Sequence, residues 1–82
     1  MIVYAVKSYY LDFNGNNVTS YMEDIFSSVE SAADFIASLH IDDQHYAYDS
    51  GLDYENDMPV RAFTDITNVR QLIFKCEPWE VK

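Results

Sequence analysis

The run Asp49-Ser50-Gly51-Leu52-Asp53-Tyr54-Glu55-Asn56-Asp57 spaces carboxylates as a hard cation such as calcium would need, since calcium takes clustered oxygen ligands. An EF-hand loop also needs glycine at its sixth position and glutamate at its twelfth. Counted from Asp53, those positions are Met58 and Thr64, so the pattern fails and the run reads as a solvated loop. His40 and His45 are the side chains that titrate near neutrality and could move protons. His40 falls at a predicted helix C-terminus, where a cation or donor suits the dipole, and that placement accounts for it. Cys76 is the only cysteine and lies in an alternating strand pattern, so it reads as a small buried hydrophobe and not as an activated thiolate. One cysteine and two histidines fall short of a four-ligand zinc site. Adjacent carboxylates such as Asp42-Asp43 and Glu23-Asp24 are too plentiful to single out an acid–base pair. The chain has no glycine-rich phosphate loop, no G-x-S-x-G elbow and no H-E-x-x-H. The expectation is recognition without turnover: not an enzyme, no metal, no cofactor.

A small scaffold must carry these residues. With 82 residues the chain reads as a single domain, 1–82. A domain this short buries only about 60–65% of its unfolded surface, so its core is thin. No internal disulfide can staple it, and a lone thiol fits a reducing compartment. The first residues lack the basic region of a signal peptide, and no apolar run approaches the roughly 18 residues of a membrane span. The expected location is the cytoplasm, without a membrane partner.

Residues 2–11 are rich in Val, Ile and Tyr and predict a strand. Asn14-Gly15-Asn16-Asn17 predicts a turn, and 18–26 the returning strand of a hairpin. Ser27-Ser28-Val29-Glu30 offers a capping box from Ser27 to Glu30. Val29, Ala32, Ala33, Ile36 and Leu39 then recur at helical spacing, with Phe35 on the flank, which predicts a helix over 28–39. The stretch 40–57 is polar and acidic, and reads as a short strand near 44–48 followed by a loop. Pro59 precedes a predicted strand over 60–66, and Thr67-Asn68 predicts a tight turn. Residues 69–76 alternate, with Leu72, Phe74 and Cys76 on one side and Gln71 and Lys75 on the other, although Val69 and Ile73 break the polar side. Pro78 predicts a bulge, beyond which Trp79-Glu80-Val81 extend the strand. The order is β-β-α-(β)-β-β: an α+β fold in two layers, an antiparallel sheet of four or five strands with one helix on one face.

One short helix covers one sheet face, yet the first strand is apolar on both parities, as Ile2, Tyr4 and Val6 alternate with Val3, Ala5 and Tyr9. The second strand is similar, with Tyr21 and Ile25 on one parity and Val18, Met22 and Phe26 on the other. Either residues 40–57 fold over the second face or that face meets a partner.

The charge pattern is lopsided. After Lys7 the next basic residue is Arg61. Residues 8–60 carry eleven carboxylates (Asp12, Glu23, Asp24, Glu30, Asp34, Asp42, Asp43, Asp49, Asp53, Glu55 and Asp57) and no Lys or Arg, a formal −11. The two ends add +2 and bring the chain to −9. Direct nucleic-acid binding is disfavoured, because phosphate contact needs a basic footprint. Acidic disorder is disfavoured as well, because 49% of the residues are hydrophobic and 16% aromatic. The charge serves either solubility or a face for a basic partner, since net charge alone does not specify function. Tyr9, Tyr10, Tyr21, Tyr46, Tyr48 and Tyr54 lie among the acids, and tyrosine suits interfaces by joining apolar area to a hydrogen-bonding tip.

Phe26-Ser27-Ser28-Val29-Glu30-Ser31-Ala32-Ala33-Asp34-Phe35-Ile36 resembles a strand-to-helix pattern in small proteins of phages and Gram-positive bacteria. In kind, the short, acidic, tyrosine-rich chain resembles phage-encoded inhibitors of host defence, including anti-CRISPR proteins and DNA mimics. That resemblance implies a non-catalytic inhibitor that occludes a basic, nucleic-acid-handling protein. The candidate contact residues are Asp42, Asp43, Tyr46, Tyr48, Asp49, Asp53, Tyr54, Glu55 and Asp57. The alternative is a structural or regulatory module that associates with its own copies, as a homodimer, without mimicry.

Overall fold

The computed structural model describes residues 1–12, 18–41, 46–66 and 70–82, with the backbone alone for Val18. Strands β1 (Ile2–Asp12) and β2 (Val18–Phe26) form the expected antiparallel pair. Helix α1 (Val29–Ala37) follows, then β3 (Tyr48–Asp49), β4 (Asp53–Glu55), β5 (Met58–Thr64) and β6 (Arg70–Glu80). Every pairing is antiparallel, in the order β2-β1-β6-β5-β3, with β4 also paired to β5. The class is α+β as expected, but the sheet has six strands, not four or five. The expected turns at Asn14-Gly15-Asn16-Asn17 and Thr67-Asn68, and residues 44–45 of the expected short strand, lie outside the described residues.

Helix α1 begins one residue later than its capping box predicts. Ser28, in extended backbone, is the N-cap, and its hydroxyl accepts from the Ser31 amide at 3.1 Å. Glu30 stands in the first turn, where the dipole favours an acid. The helix ends at Ala37, with the Ser38 amide donating to the Asp34 carbonyl at 3.0 Å, two residues short of the predicted end.

The core lies on one side of the sheet. Val6, Phe74, Cys76 and Phe63 meet Ala32 and Ile36 of the helix, and Tyr4, Phe26, Phe35, Leu39, Ile41, Tyr46 and Leu72 pack around them. Phe63 meets Phe74 edge-on at 6.0 Å and Phe26 meets Phe35 at 5.3 Å, geometries that suit the aromatic quadrupole. Cys76 is 5% exposed, as its place in the alternation predicts. Residues 40–57 do not fold over the second face among the described residues. Ile41 and Tyr46 pack into the helix-side core, and β3 and β4 widen the sheet at its edge.

Two strands depart from simple alternation. The β1–β2 register shifts between Val6 and Lys7, which leaves Met22 opposite Lys7 and Ile25 opposite Ala5. Lys7 and Ala5 share one parity of β1, so this bulge puts Met22 and Ile25 on the same face, against the parity read from sequence. Pro78, by contrast, makes no bulge: β6 pairs with β1 without a break from Arg70 to Glu80. The Val81 amide donates to the Met1 carbonyl at 2.8 Å, and counting back from that bonded pair puts Pro78 opposite Tyr4 at a non-hydrogen-bonded position. Its missing N–H therefore faces the other side, where the pairing with β5 has already ended at Lys75. Pro59 likewise sits inside β5 and not ahead of it, with strand β5 ending at Thr64.

Candidate functional site

Most of the predicted contact residues come together on the β3–β4 edge. Asp49 begins a tight connection: its Oδ1 accepts from the Gly51 amide at 2.8 Å, and Gly51 takes φ 71°, which suits a residue without a Cβ. The Ser50 amide donates to the Ala62 carbonyl and the Ala62 amide to the Ser50 hydroxyl, both at 2.9 Å. Strand β4 then pairs Asp53 with Val60, Tyr54 with Pro59 and Glu55 with Met58. Asn56 and Asp57, at φ 52° and 65°, make the two-residue turn between β4 and β5. Positive φ at both central residues is the mark of a hairpin turn whose twist matches its strands, and Asn and Asp tolerate it. The predicted loop is thus a hairpin.

On this edge Tyr48 and Tyr54 are 58% and 55% exposed. Asp53 and Glu55 alternate with Tyr54 along β4, so the two acids share a face and the ring takes the other. Asp53 and Asp57 form no ion pair among the described residues. Glu55 reaches Lys75 at 3.8 Å, a surface pair between exposed groups.

Asp49 is neutralised. Arg61 donates to it twice, from Nε at 2.9 Å and from Nη2 at 2.5 Å. Those bonds hold the Asp49 carboxyl below the usual range, against the upward pull of burial, and raise Arg61. The same guanidinium donates through Nη1 to the carbonyls of Ile36 and Ala37 at 2.9 Å and of Leu39 at 3.2 Å. Its carbon lies 4.8 Å from the Phe63 ring centroid. Arg61 is therefore the cation at the helix C-terminus, the role that sequence gave to His40, and His40 is exposed. Sequence reasoning missed this brace because its acceptors come from α1 and β3, distant along the chain.

Tyr46 leaves the site. It is half-buried against the core, with the Arg70 guanidinium 5.9 Å from its ring. Arg70 also holds Asp65, 1% exposed, through Nε and Nη2 at 2.7 Å each. Asp42 and Asp43 lie outside the described residues. The other described acids of the cation-free segment sit elsewhere: Asp12 at the end of β1 opposite Arg70, Glu30 and Asp34 on the outer surface of α1, Glu23 and Asp24 on β2 at the opposite edge. The carboxylates thus form separate groups, not one continuous ridge.

Among the described residues no three of His, Cys, Asp or Glu are grouped to hold a metal. Burial pushes the Cys76 thiol up, and the neighbouring Glu77 adds to the shift, the reverse of activation. Two shallow hollows, of about 310 and 280 Å3, flank Lys75 and Glu77. No described helix is long and apolar enough to cross a membrane. Compared with protein-family models, with characterised proteins and with solved structures, the chain matches none.

Proposed function

We propose that this chain is a non-catalytic binding protein of the cytoplasm, acting by occlusion in the manner of an anti-CRISPR inhibitor. Its β3–β4 edge would seat on a basic surface of a nucleic-acid-handling protein. The observation that supports this is the hairpin itself. It presents Asp53, Glu55 and Asp57 with Tyr54 on a short, geometrically defined turn, and Tyr48 is exposed farther along the same edge, opposite Thr64. Exposed tyrosines next to carboxylates supply contact area at low entropic cost together with steering charge. The separate carboxylate groups favour docking of this edge over imitation of a regular phosphate ladder.

The experiment is capture on the immobilised chain from nuclease-treated extract of the source cell, run beside the triple variant Asp53→Asn, Glu55→Gln, Asp57→Asn. The expected result is a basic, nucleic-acid-binding protein, retained at low salt, released as salt rises and lost on the variant. Retention that ignores salt, or that is equal on the variant, refutes the reading.

A further inference from the structure

The sheet face opposite α1 carries no second layer among the described residues, although apolar and aromatic side chains make up much of it. Strand register places Val3 beside Trp79, and Tyr9 beside Ile73. Ile25 and Met22 extend the apolar surface from β2 and are 50% and 44% exposed. The charged side chains are set in two adjacent rows: Lys7 faces Lys75 in one, and Glu77 lies in the next, opposite Ala5. Tyr9 donates to one Glu77 oxygen, and Trp79 Nε1 to the other at 3.3 Å. With Glu55 at the rim beside Lys75, and Asp53 beyond Val60 in the row of Lys75, two cations meet three anions. On a chain of formal charge −9, this face is close to neutral.

We propose that a second copy of this chain covers the face, giving a two-fold dimer with the sheets stacked and the helices outside. Three observations choose this occupant. A like-charged body can approach where the local charge nearly cancels, whereas a basic partner gains little there. The rows are self-complementary: a two-fold axis crossing the strands between them sets each Glu77 against the other copy's Lys7 and Lys75, as an isologous contact requires. The size fits as well. Strands β2, β1, β6 and β5 are 9, 11, 11 and 7 residues long, and at about 3.3 Å a residue and about 4.8 Å between strands the plane is roughly 600 Å2. One side of a standard interface is about 800 Å2 of accessible surface, which side-chain relief supplies here. Stacked sheets at about 10 Å would bury the rings of Tyr9 and Trp79.

This association and the docking of the acidic edge respond to salt in opposite directions. Binding to a basic partner loosens with salt. Dimerisation of two −9 bodies tightens, because screening removes their mutual repulsion. Sedimentation velocity of the full chain across concentrations and salt tests the proposal. The expected result is a monomer–dimer equilibrium whose dissociation constant falls at least about tenfold between about 0.05 and about 0.5 M salt, as the Debye length drops from roughly 14 to roughly 4 Å. Lys75→Glu, at a side chain 41% exposed, and Ile73→Asp should each weaken the dimer at least about tenfold. Asp57→Asn, in the turn beyond the rows, should leave the dimer unchanged. If Ile73→Asp does not fold, Lys75→Glu carries the test, with its fold checked by circular dichroism. A monomer under every condition, a dimer that loosens with salt, or a dimer indifferent to Lys75→Glu overturns the proposal. None of these outcomes bears on the acidic edge.

Discussion

Replacing Arg61 with methionine removes every donor of the brace between α1, β3 and β5 while keeping a side chain of similar reach over Phe63. Two contributions are lost. The ion pair with Asp49 is screened, because that carboxylate is 39% exposed, and it is worth about 0–1 kcal/mol. The larger share lies with the carbonyls of Ile36, Ala37 and Leu39, which together lose one charged donor group. A hydrogen bond to a charged group nets about 1.5–3 kcal/mol, and a single Nη1 shared by three acceptors counts as little more than one such bond. The total is about 3 kcal/mol. At about 2.1 cal/mol/K of unfolding entropy per residue, 82 residues give a fall in Tm of roughly 15–20 °C. Thermal and urea unfolding by circular dichroism measure it, with Asp49→Asn and the double variant closing a cycle. Asp49→Asn alone should cost about 1 kcal/mol or less. The sign with pH follows: Asp49 is held below its ordinary value, so its share is complete above about pH 4 and is lost as pH falls through the lowered value. The share of the carbonyls does not titrate and should persist. A fall in Tm under about 5 °C for Arg61→Met, or an equal cost for Asp49→Asn, would refute the brace.

Other outcomes are open to measurement. Ser28→Ala, which removes the N-cap acceptor, should cost about 1 kcal/mol in urea unfolding, while Ser27→Ala should be near neutral. Ile36→Ala, at a fully buried position under the sheet, should cost about 2–5 kcal/mol and leave little of the marginal stability of so small a domain. Tyr9 is pushed up to about 12, first by its bond to Glu77 and then by burial, and Glu77 is held down chiefly by the same bond. The Tyr9 share of stability is therefore full below about pH 10 and lost as pH rises towards the folded value. Absorbance at alkaline pH should show one late phenol that returns to the ordinary range in Glu77→Gln. An unchanged curve would deny the bond. Against a captured basic partner, the triple hairpin variant should associate about tenfold more slowly at low salt and converge with the wild type at high salt.

The elements that read clearly in sequence are those with one wet and one dry side. Ala32, Ala33 and Ile36 repeat at helical spacing because one face of α1 is buried, and Leu72, Phe74 and Cys76 alternate because β6 presents them to that helix. Strand β4 did not read as a strand because Asp53, Tyr54 and Glu55 are all exposed and carry no contrast between faces. Asn56-Asp57 was the available signal, two adjacent residues that accept positive φ. Ile73 breaks the polar side of β6 because its neighbours across the sheet, Tyr9 and Ala62, are apolar, so the irregularity was information. Among the candidate contacts, spacing was enough to group Tyr48, Asp53, Tyr54, Glu55 and Asp57. It could not separate Tyr46, whose ring is taken by the core and Arg70, nor Asp49, whose charge is answered by Arg61. Both outcomes are set by tertiary neighbours.

The unbroken ladder between β1 and β6 has a kinetic consequence. It runs through the middle of the sheet and joins Ile2 to Glu80, so β1 waits for β6. The β1–β2 and β4–β5 hairpins and α1 can form from nearby residues as the chain emerges. The central ladder requires closing a loop of nearly the full contour, whose entropy must be overcome before any contact rewards it. Folding of this domain should be completed in one late event, once β6 has emerged, and a ribosome stalled before β6 is translated should display a nascent chain open to protease.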